Sequence, residues 1–319
     1  MYSENPAIIK VGVTFKNDLV VKDYTAKLVK SLFINGNPKL EEIFSKGKDL
    51  PPKPIHITPL YTIKASKDGK EKGYAVYTKF IPSRSTAKPP SLNKLKPIKI
   101  ENNKRYFFYV GVPLNLLNEV LIGLSNVGGF NFGKGVVYID SLSYEIHYID
   151  VERETERIAN LLEEGRDTIN VKIIFKSPTL LKDPLVVMRK KKKKLLLPLP
   201  EAVLSVPFLM VLIDKGRLRR SIFLRCMRYV KSVLDTPYTA LKTVNLVWYV
   251  YDNEVLPAMI GYVKYFIDYQ VLQYVQSIME MKYGLDFIKL LSRTLVLAQI
   301  YGVGDGRATG FGHVSFEIK

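Results

Sequence analysis

The 319-residue chain carries 47% apolar residues, 20 Tyr, 15 Phe and a formal charge of +18, which excludes a chain disordered throughout and points to polyanionic partners, nucleic acid or an anionic membrane surface. One cysteine and three histidines leave no disulfide framework and no metal cluster at ligand spacing, so no metal or cofactor is expected and a reducing, cytoplasmic compartment fits. The opening MYSENPAIIKVGVTF lacks the basic and apolar regions of a secretory signal.

In chain order, IIKVGVTF at 8–15 reads as a strand, and VKDYTAKLVKSLFI from Val21 as a helix with apolar residues at helical spacing. PPKPIHITPLYTIKAS and KGYAVYTKFIP flank a turn around Asp68 and Gly69, a hairpin signal. A basic, proline-rich excursion, SRSTAKPPSLNKLKP, precedes KRYFFYVGV, a further strand or an insertion. PLNLLNEVLIGLSNV then reads as a helix opened by Pro113, and GVVYIDSLSYEIHYID as an alternating strand after Gly135. The order is the βαββαβ of a ferredoxin-like domain.

VERETERIANLLEEGRD reads as a partly helical connector, after which the order begins again. INVKIIFKSP is a strand, two apolar and basic helical stretches follow, a hairpin turns at Asp252 and Asn253, FIKLLSRTLVLAQI is a helix, and ATGFGHVSFEIK is a last strand. The expected fold is α+β, with two tandem ferredoxin-like (βαββαβ, RRM-like) domains at residues 1–152 and 168–319. Residues 153–167 link them, and a Gly-rich loop precedes the final strand. LLLPLPEAVLSVPFLMVLI at 195–213 approaches the ~20 residues of a membrane span, but Pro198, Pro200, Pro207 and Glu201 favour a buried helix behind a proline-rich entry.

Glycine occupies positions 302, 304, 306, 310 and 312 around Arg307. Such a loop either forms tight turns feeding a strand or presents successive N–H groups to a phosphate. It is neither a Rossmann fingerprint nor a P-loop. The spacing of Gly302, Val303, Gly304, Gly310, Phe311 and Gly312 resembles the C-terminal Gly-rich loop of the Cas6 CRISPR RNA-processing family. INVKIIFKSPTLLKD resembles the opening of that family's C-terminal domain, through Phe175, Ser177, Pro178, Thr179, Leu180 and Lys182. The two matches frame residues 169–319.

The resemblance implies a metal-independent endoribonuclease that binds CRISPR repeat RNA and cuts precursor CRISPR RNA by 2′-hydroxyl attack. The products would be 2′,3′-cyclic phosphate and 5′-hydroxyl ends. It also leaves open a non-catalytic RNA-binding subunit of a CRISPR effector complex, and a homodimer. A third reading, a membrane-surface protein using the lysine run, needs no enzyme.

Residues 189–231 hold 13 Lys or Arg against Glu201 and Asp214, +11 of the +18. Lys190, Lys191, Lys192, Lys193 and Lys194 form one run. Arg217, Arg220, Arg225 and Arg228 share one face if their segment is helical, an RNA-backbone surface or simply a solvated face. Among the histidines, His56 is the catalytic candidate, His147 is expected at the surface, and His313 lies beside the Gly-rich loop. On the first helix the family resemblance suggests Tyr24 to orient the 2′-hydroxyl and Lys27 to meet the leaving oxygen, with Lys30 on the RNA. Gly302, Gly304, Gly306, Arg307, Gly310 and Gly312 complete the expected RNA contacts. Tyr249, Tyr251, Tyr262 and Tyr265 are candidates for base stacking.

Overall fold

The computed structural model describes residues 2, 4–45, 51–65, 71–82, 89–133, 135–164, 169–185, 194–236 and 240–319. The first strand, β1 (Ala7–Phe15), buries Ala7, Ile9, Val11, Val13 and Phe15 and leaves the alternate side chains less covered, the period of two that a one-sided sheet requires. Helix α1 (Ala26–Gly36), β2 (Tyr61–Ala65), β3 (Tyr106–Val112), α2 (Leu114–Ser125) and β4 (Gly135–Tyr148) follow. β1 pairs antiparallel with β3 and with β4, and β2 adds to the far side of β3. The order β2-β3-β1-β4 is that of a ferredoxin-like unit.

The two arms read on either side of Asp68 pair, with Tyr61 opposite Ala75 and Ala65 opposite Glu71, while Asp68 and Gly69 lie outside the described residues; the second arm is an outer edge strand and not a strand of the motif. The inner place goes to the KRYFFYVGV stretch as β3, whose central residues are largely buried. A nearly unbroken apolar run suits a strand with neighbours on both edges, and exposed Gly73 and Tyr74 suit an edge.

The order repeats after α3 (Val151–Glu163), with β5 (Ile169–Thr179), α4 (Ser205–Asp214), α5 (Arg220–Val233), β6 (Val244–Tyr251), β7 (Glu254–Ile267), α6 (Tyr269–Tyr283), α7 (Phe287–Tyr301) and β8 (Val314–Ile318). The second sheet runs β8-β5-β7-β6, the same arrangement as the first. The β6–β7 turn at Asp252 and Asn253 has positive φ at both residues (52° and 61°), which sets the twist of a tight hairpin. α3 is amphipathic rather than a passive connector. Asp150 caps it by accepting from the Arg153 N–H at 3.0 Å, and Val151, Ile158 and Leu162 enter the core of the second unit. The apolar stretch 195–213 becomes a short helical turn, Pro200–Val203, and the buried α4. Among the described residues no helix is long and apolar enough to cross a membrane.

The two units are stitched at several points. Lys79–Phe80, from the first half, pairs with β6 and extends the second sheet. Tyr2 is wholly buried, its N–H donating to Asp214 Oδ1 at 2.9 Å and its hydroxyl to the Pro52 carbonyl at 2.6 Å. A small shared core joins Tyr24, Ala26 and Tyr77 to Val247, Tyr249, Ala258 and Phe311. At Gly111 the β3 backbone meets the end of α7 so closely that a Cβ would stand 1.9 Å from the Ile300 carbonyl oxygen. Because that neighbour is backbone, Gly111→Ala is expected to destabilise the fold by about 2–3 kcal/mol, read as a lower urea midpoint; an unchanged midpoint would contradict this close approach.

Candidate active site and nucleic-acid interface

The loop 302–313 folds back against the strip that carries the other recognised motif. The Val303 N–H donates to the Gly312 carbonyl at 2.8 Å, Asp305 N–H to Leu180 at 2.8 Å and Gly312 N–H to Pro178 at 3.0 Å, while His313 N–H donates to Ser177 Oγ at 3.0 Å. Lys182 pairs with Asp305. The SPTL segment is therefore the cradle of the glycine loop, which explains why the two stretches accompany each other in one sequence.

All five glycines have positive φ. Gly310, at φ +95°, lies against α1, where a Cβ would stand 2.1 Å from that of Ala26. Gly302, Gly304, Gly310 and Gly312 are buried, so their expected RNA contacts are turned into the protein, and several loop amides are already spent on it. Arg307 is 6% exposed. Its guanidinium donates to the Tyr301 carbonyl at 2.9 Å and to that of Lys53 at 3.3 Å. It closes the C-terminal end of α7 instead of facing solvent.

Tyr24 and His56 are likewise interior. The Tyr24 hydroxyl donates to the Gly310 carbonyl at 2.7 Å, and its ring stacks on Phe311 at 4.6 Å with the planes 8° apart. Burial holds the phenol well above its ordinary pKa, so it stays protonated. His56 Nδ1 lies 3.0 Å from the Arg307 carbonyl, which fixes the Nδ1–H tautomer as donor. Its ring stacks on His313 at 5.6 Å. Burial, and next the Arg307 charge, depress His56 to about 3. Burial, His56 and Lys176 hold His313 well below the ordinary histidine range. Both rings are neutral spacers between the units at physiological pH. His147 is exposed on β4, 3.8 Å from Glu145.

What reaches the surface beside this seam is a group of lysines. Lys27 Nζ is held by Asp23 at 2.5 Å and by Asp252 from the β6–β7 turn, and sits 4.4 Å from the centre of the Tyr251 ring. One turn on, Lys30 lies over Phe44 at 5.6 Å. Lys53 donates to the Phe44 carbonyl. Burial lowers the pKa of Lys30, and burial followed by repulsion from Lys30 lowers that of Lys53. Lys27 and Lys30 are legible in the sequence through the spacing of their helix. The parts played by Lys53, Tyr251 and Asp252 had no local signal, because the last two arrive from some 225 residues away. Of the other tyrosines, Tyr249 and Tyr265 are buried, and Tyr262 is half-buried with Lys172 over its ring at 5.2 Å. Among the described residues no three His, Cys, Asp or Glu side chains converge as a metal site.

The second basic surface is α5. Arg220, Arg225 and Arg228 are exposed along it, and Cys226, Met227, Val230 and Val233 are buried on the opposite face. Arg217 is exposed in the turn before it. Lys190, Lys191, Lys192 and Lys193 lie outside the described residues, and Lys194 begins a two-residue strand paired with Leu181–Lys182.

The fold and the loop define a class: tandem ferredoxin-like units closed by a C-terminal Gly-rich loop. Residues 7–71 match the Cas6 N-terminal domain. No curated protein matches the sequence. Among solved structures, a Cas6 product complex (TTHB231) aligns with TM-score 0.58 at 13% identity, over 98% of this chain and 100% of its own. A Cas6-related protein of Pyrococcus furiosus gives 0.51 at 10%, over 98% of both chains. An RAMP protein described as binding different RNA substrates gives 0.50 at 10%, over 98% and 99%. The N-terminal part of the chain thus matches the Cas6 N-terminal domain, and the whole chain shares its fold with Cas6 structures.

The paired histidines give the fold a pH dependence of definite sign. Unfolded imidazoles titrate near 6.5, and the folded ones resist protonation. The unfolded chain therefore binds more protons below that range, and stability falls as pH drops from about 7 toward about 3, by up to ~1.4 kcal/mol per pH unit for each histidine. Denaturation midpoints at pH 7, 6 and 5 should decline, and His313→Gln should flatten the decline; equal midpoints for the native chain at pH 7 and 5 would refute it.

Proposed function

We propose that the protein is an endoribonuclease that binds CRISPR repeat RNA and cuts precursor CRISPR RNA without a metal, by in-line attack of a 2′-hydroxyl that leaves 2′,3′-cyclic phosphate and 5′-hydroxyl ends. The observation that carries the reading is the convergence of Lys27, Lys30 and Lys53 on one partly exposed patch beside the locked Gly-rich loop. Charge building on the phosphoryl oxygens needs cations fixed in advance. Lys27, oriented by Asp23 and Asp252, answers that need once a phosphate displaces the exposed Asp252 carboxylate. Lys30 and Lys53, made more acidic by burial, suit proton delivery to the departing 5′-oxygen. Tyr24, His56, Arg307 and the glycines act at one remove, by fixing α1 and the Lys53 segment against the second unit. On this reading residues 1–152 and 168–319 work as two domains, with 153–167 between them. The exposed arginines of α5, with Lys190–Lys194, hold the RNA backbone.

A second reading, an RNA-binding subunit that does not cut, draws on one feature: Lys27 is already neutralised by two carboxylates. Its relatives include both a product complex and an RNA-binding RAMP protein.

End-labelled repeat RNA incubated with the protein in EDTA is expected to be cut once per repeat, and a 2′-deoxy at the scissile position to abolish cutting. Lys30→Gln should slow the reaction by about 10²-fold or more with RNA affinity nearly kept. A requirement for magnesium, or cutting that survives the 2′-deoxy, would rule out the mechanism; tight binding with no cutting under any condition would favour the second reading.

A further inference from the structure

At the end of α7 remote from the glycine loop lies another cation-lined cleft, of about 360 Å³. Lys289 and Tyr301 are separated by twelve residues of one helix, roughly 18 Å at the α-helical rise, so the cleft is distinct from the lysine patch at the seam. Lys215, Arg217, Lys289, Arg293 and Thr155 line it, with Leu285 and Leu290 as apolar surface.

Its two acids are already engaged. Asp286 caps α7 by accepting from the Lys289 N–H at 2.9 Å, and Glu152 accepts from Arg293 Nη1 at 2.5 Å. Arg293 is 7% and Thr155 3% exposed, yet Arg293 Nε and Thr155 Oγ1 have no hydrogen-bond partner in the protein. Buried polar groups are costly to leave unmet, and here two of them border a cleft whose other cations are free to turn toward a shared anion. The cleft is continuous with the basic helix: Arg225 lies over the Tyr283 ring at 5.4 Å, and Gly284, the next residue, is part of the lining.

We propose that this cleft binds one phosphate-bearing nucleotide unit, its phosphate met by Lys215, Arg217, Lys289 and Arg293 and its apolar face resting on Leu285 and Leu290. The volume suits a mononucleotide, and the chemistry is the same whether the unit belongs to an RNA strand or is a free nucleotide. The site does not depend on the cutting reaction, since a chain that binds without cutting keeps it.

The test titrates the full-length chain with AMP and with an unstructured five-nucleotide RNA, by calorimetry and by fluorescence anisotropy. Lys215→Glu with Lys289→Glu, both exposed positions, should weaken the bound probe about tenfold or more. Thr155→Val, which leaves the charge unchanged, should weaken it severalfold. Lys99→Glu with Lys104→Glu, on the first unit, should leave it nearly unaltered. Loss for both probes means that the cleft accepts free nucleotides as well as strands; loss for the RNA alone, with AMP unbound by the native chain, makes a strand the occupant. If the cleft variants bind both probes like the native protein, or the Lys99 and Lys104 control weakens them equally, the proposal is overturned.

Discussion

A guanidinium shut away from water must have its donors met by protein, and Arg307 meets them with carbonyl oxygens from both halves of the chain, Tyr301 on one side and Lys53 on the other. Burial lowers its pKa to about 10, so it remains charged at neutral pH and the pairing is charge-assisted. Much of the seam follows from that one cation. The Lys53 segment is held against the end of α7, His56 must stay neutral beside a fixed positive charge, and the Arg307 carbonyl receives the His56 Nδ1–H. The glycine loop has to wrap this group with almost no room for side chains, and Gly310 against Ala26 shows how little is left.

The seam positions chemistry that is not itself in the seam. Tyr24 is clamped between the Gly310 carbonyl and the Phe311 ring, which fixes the start of α1 and with it Lys27 and Lys30. The turn at Asp252 comes from the second sheet and meets Lys27 there. A cation held between two carboxylates is oriented but masked, so an incoming phosphate competes with Asp252, which is largely exposed, more readily than with Asp23. On the proposed function, that arrangement favours a polyanion that brings several contacts at once over a lone phosphate.

The repeated βαββαβ order was legible because strand and helix periods and turn residues are local signals. The assignment of inner and outer strands was not, since Tyr61–Ala65, Glu71–Ala75 and Tyr106–Val112 all read as strands and only sheet pairing ranks them. The amphipathic face of α5 was also readable from its spacing. Tyr24, His56 and Arg307 were singled out as residues able to do chemistry, but a residue's type carries no record of its burial, and all three turned out to be interior. The glycine loop left two readings open for the same reason: its positive φ values were implied by composition, whereas the direction its amides face depends on the strip Ser177–Leu180, more than a hundred residues earlier.

By itself, then, the sequence determined what is written in short windows: two ferredoxin-like units, a basic segment at residues 189–231, and two motifs that resemble those of the Cas6 family. Tertiary structure decided which polar groups water can reach. Packing between the halves buried the loop, His56 and His313, and brought Asp252 and Tyr251 to Lys27. The physical reason is that burial and ionic pairing are properties of contacts between distant segments, and the chain's own periodicity cannot encode them.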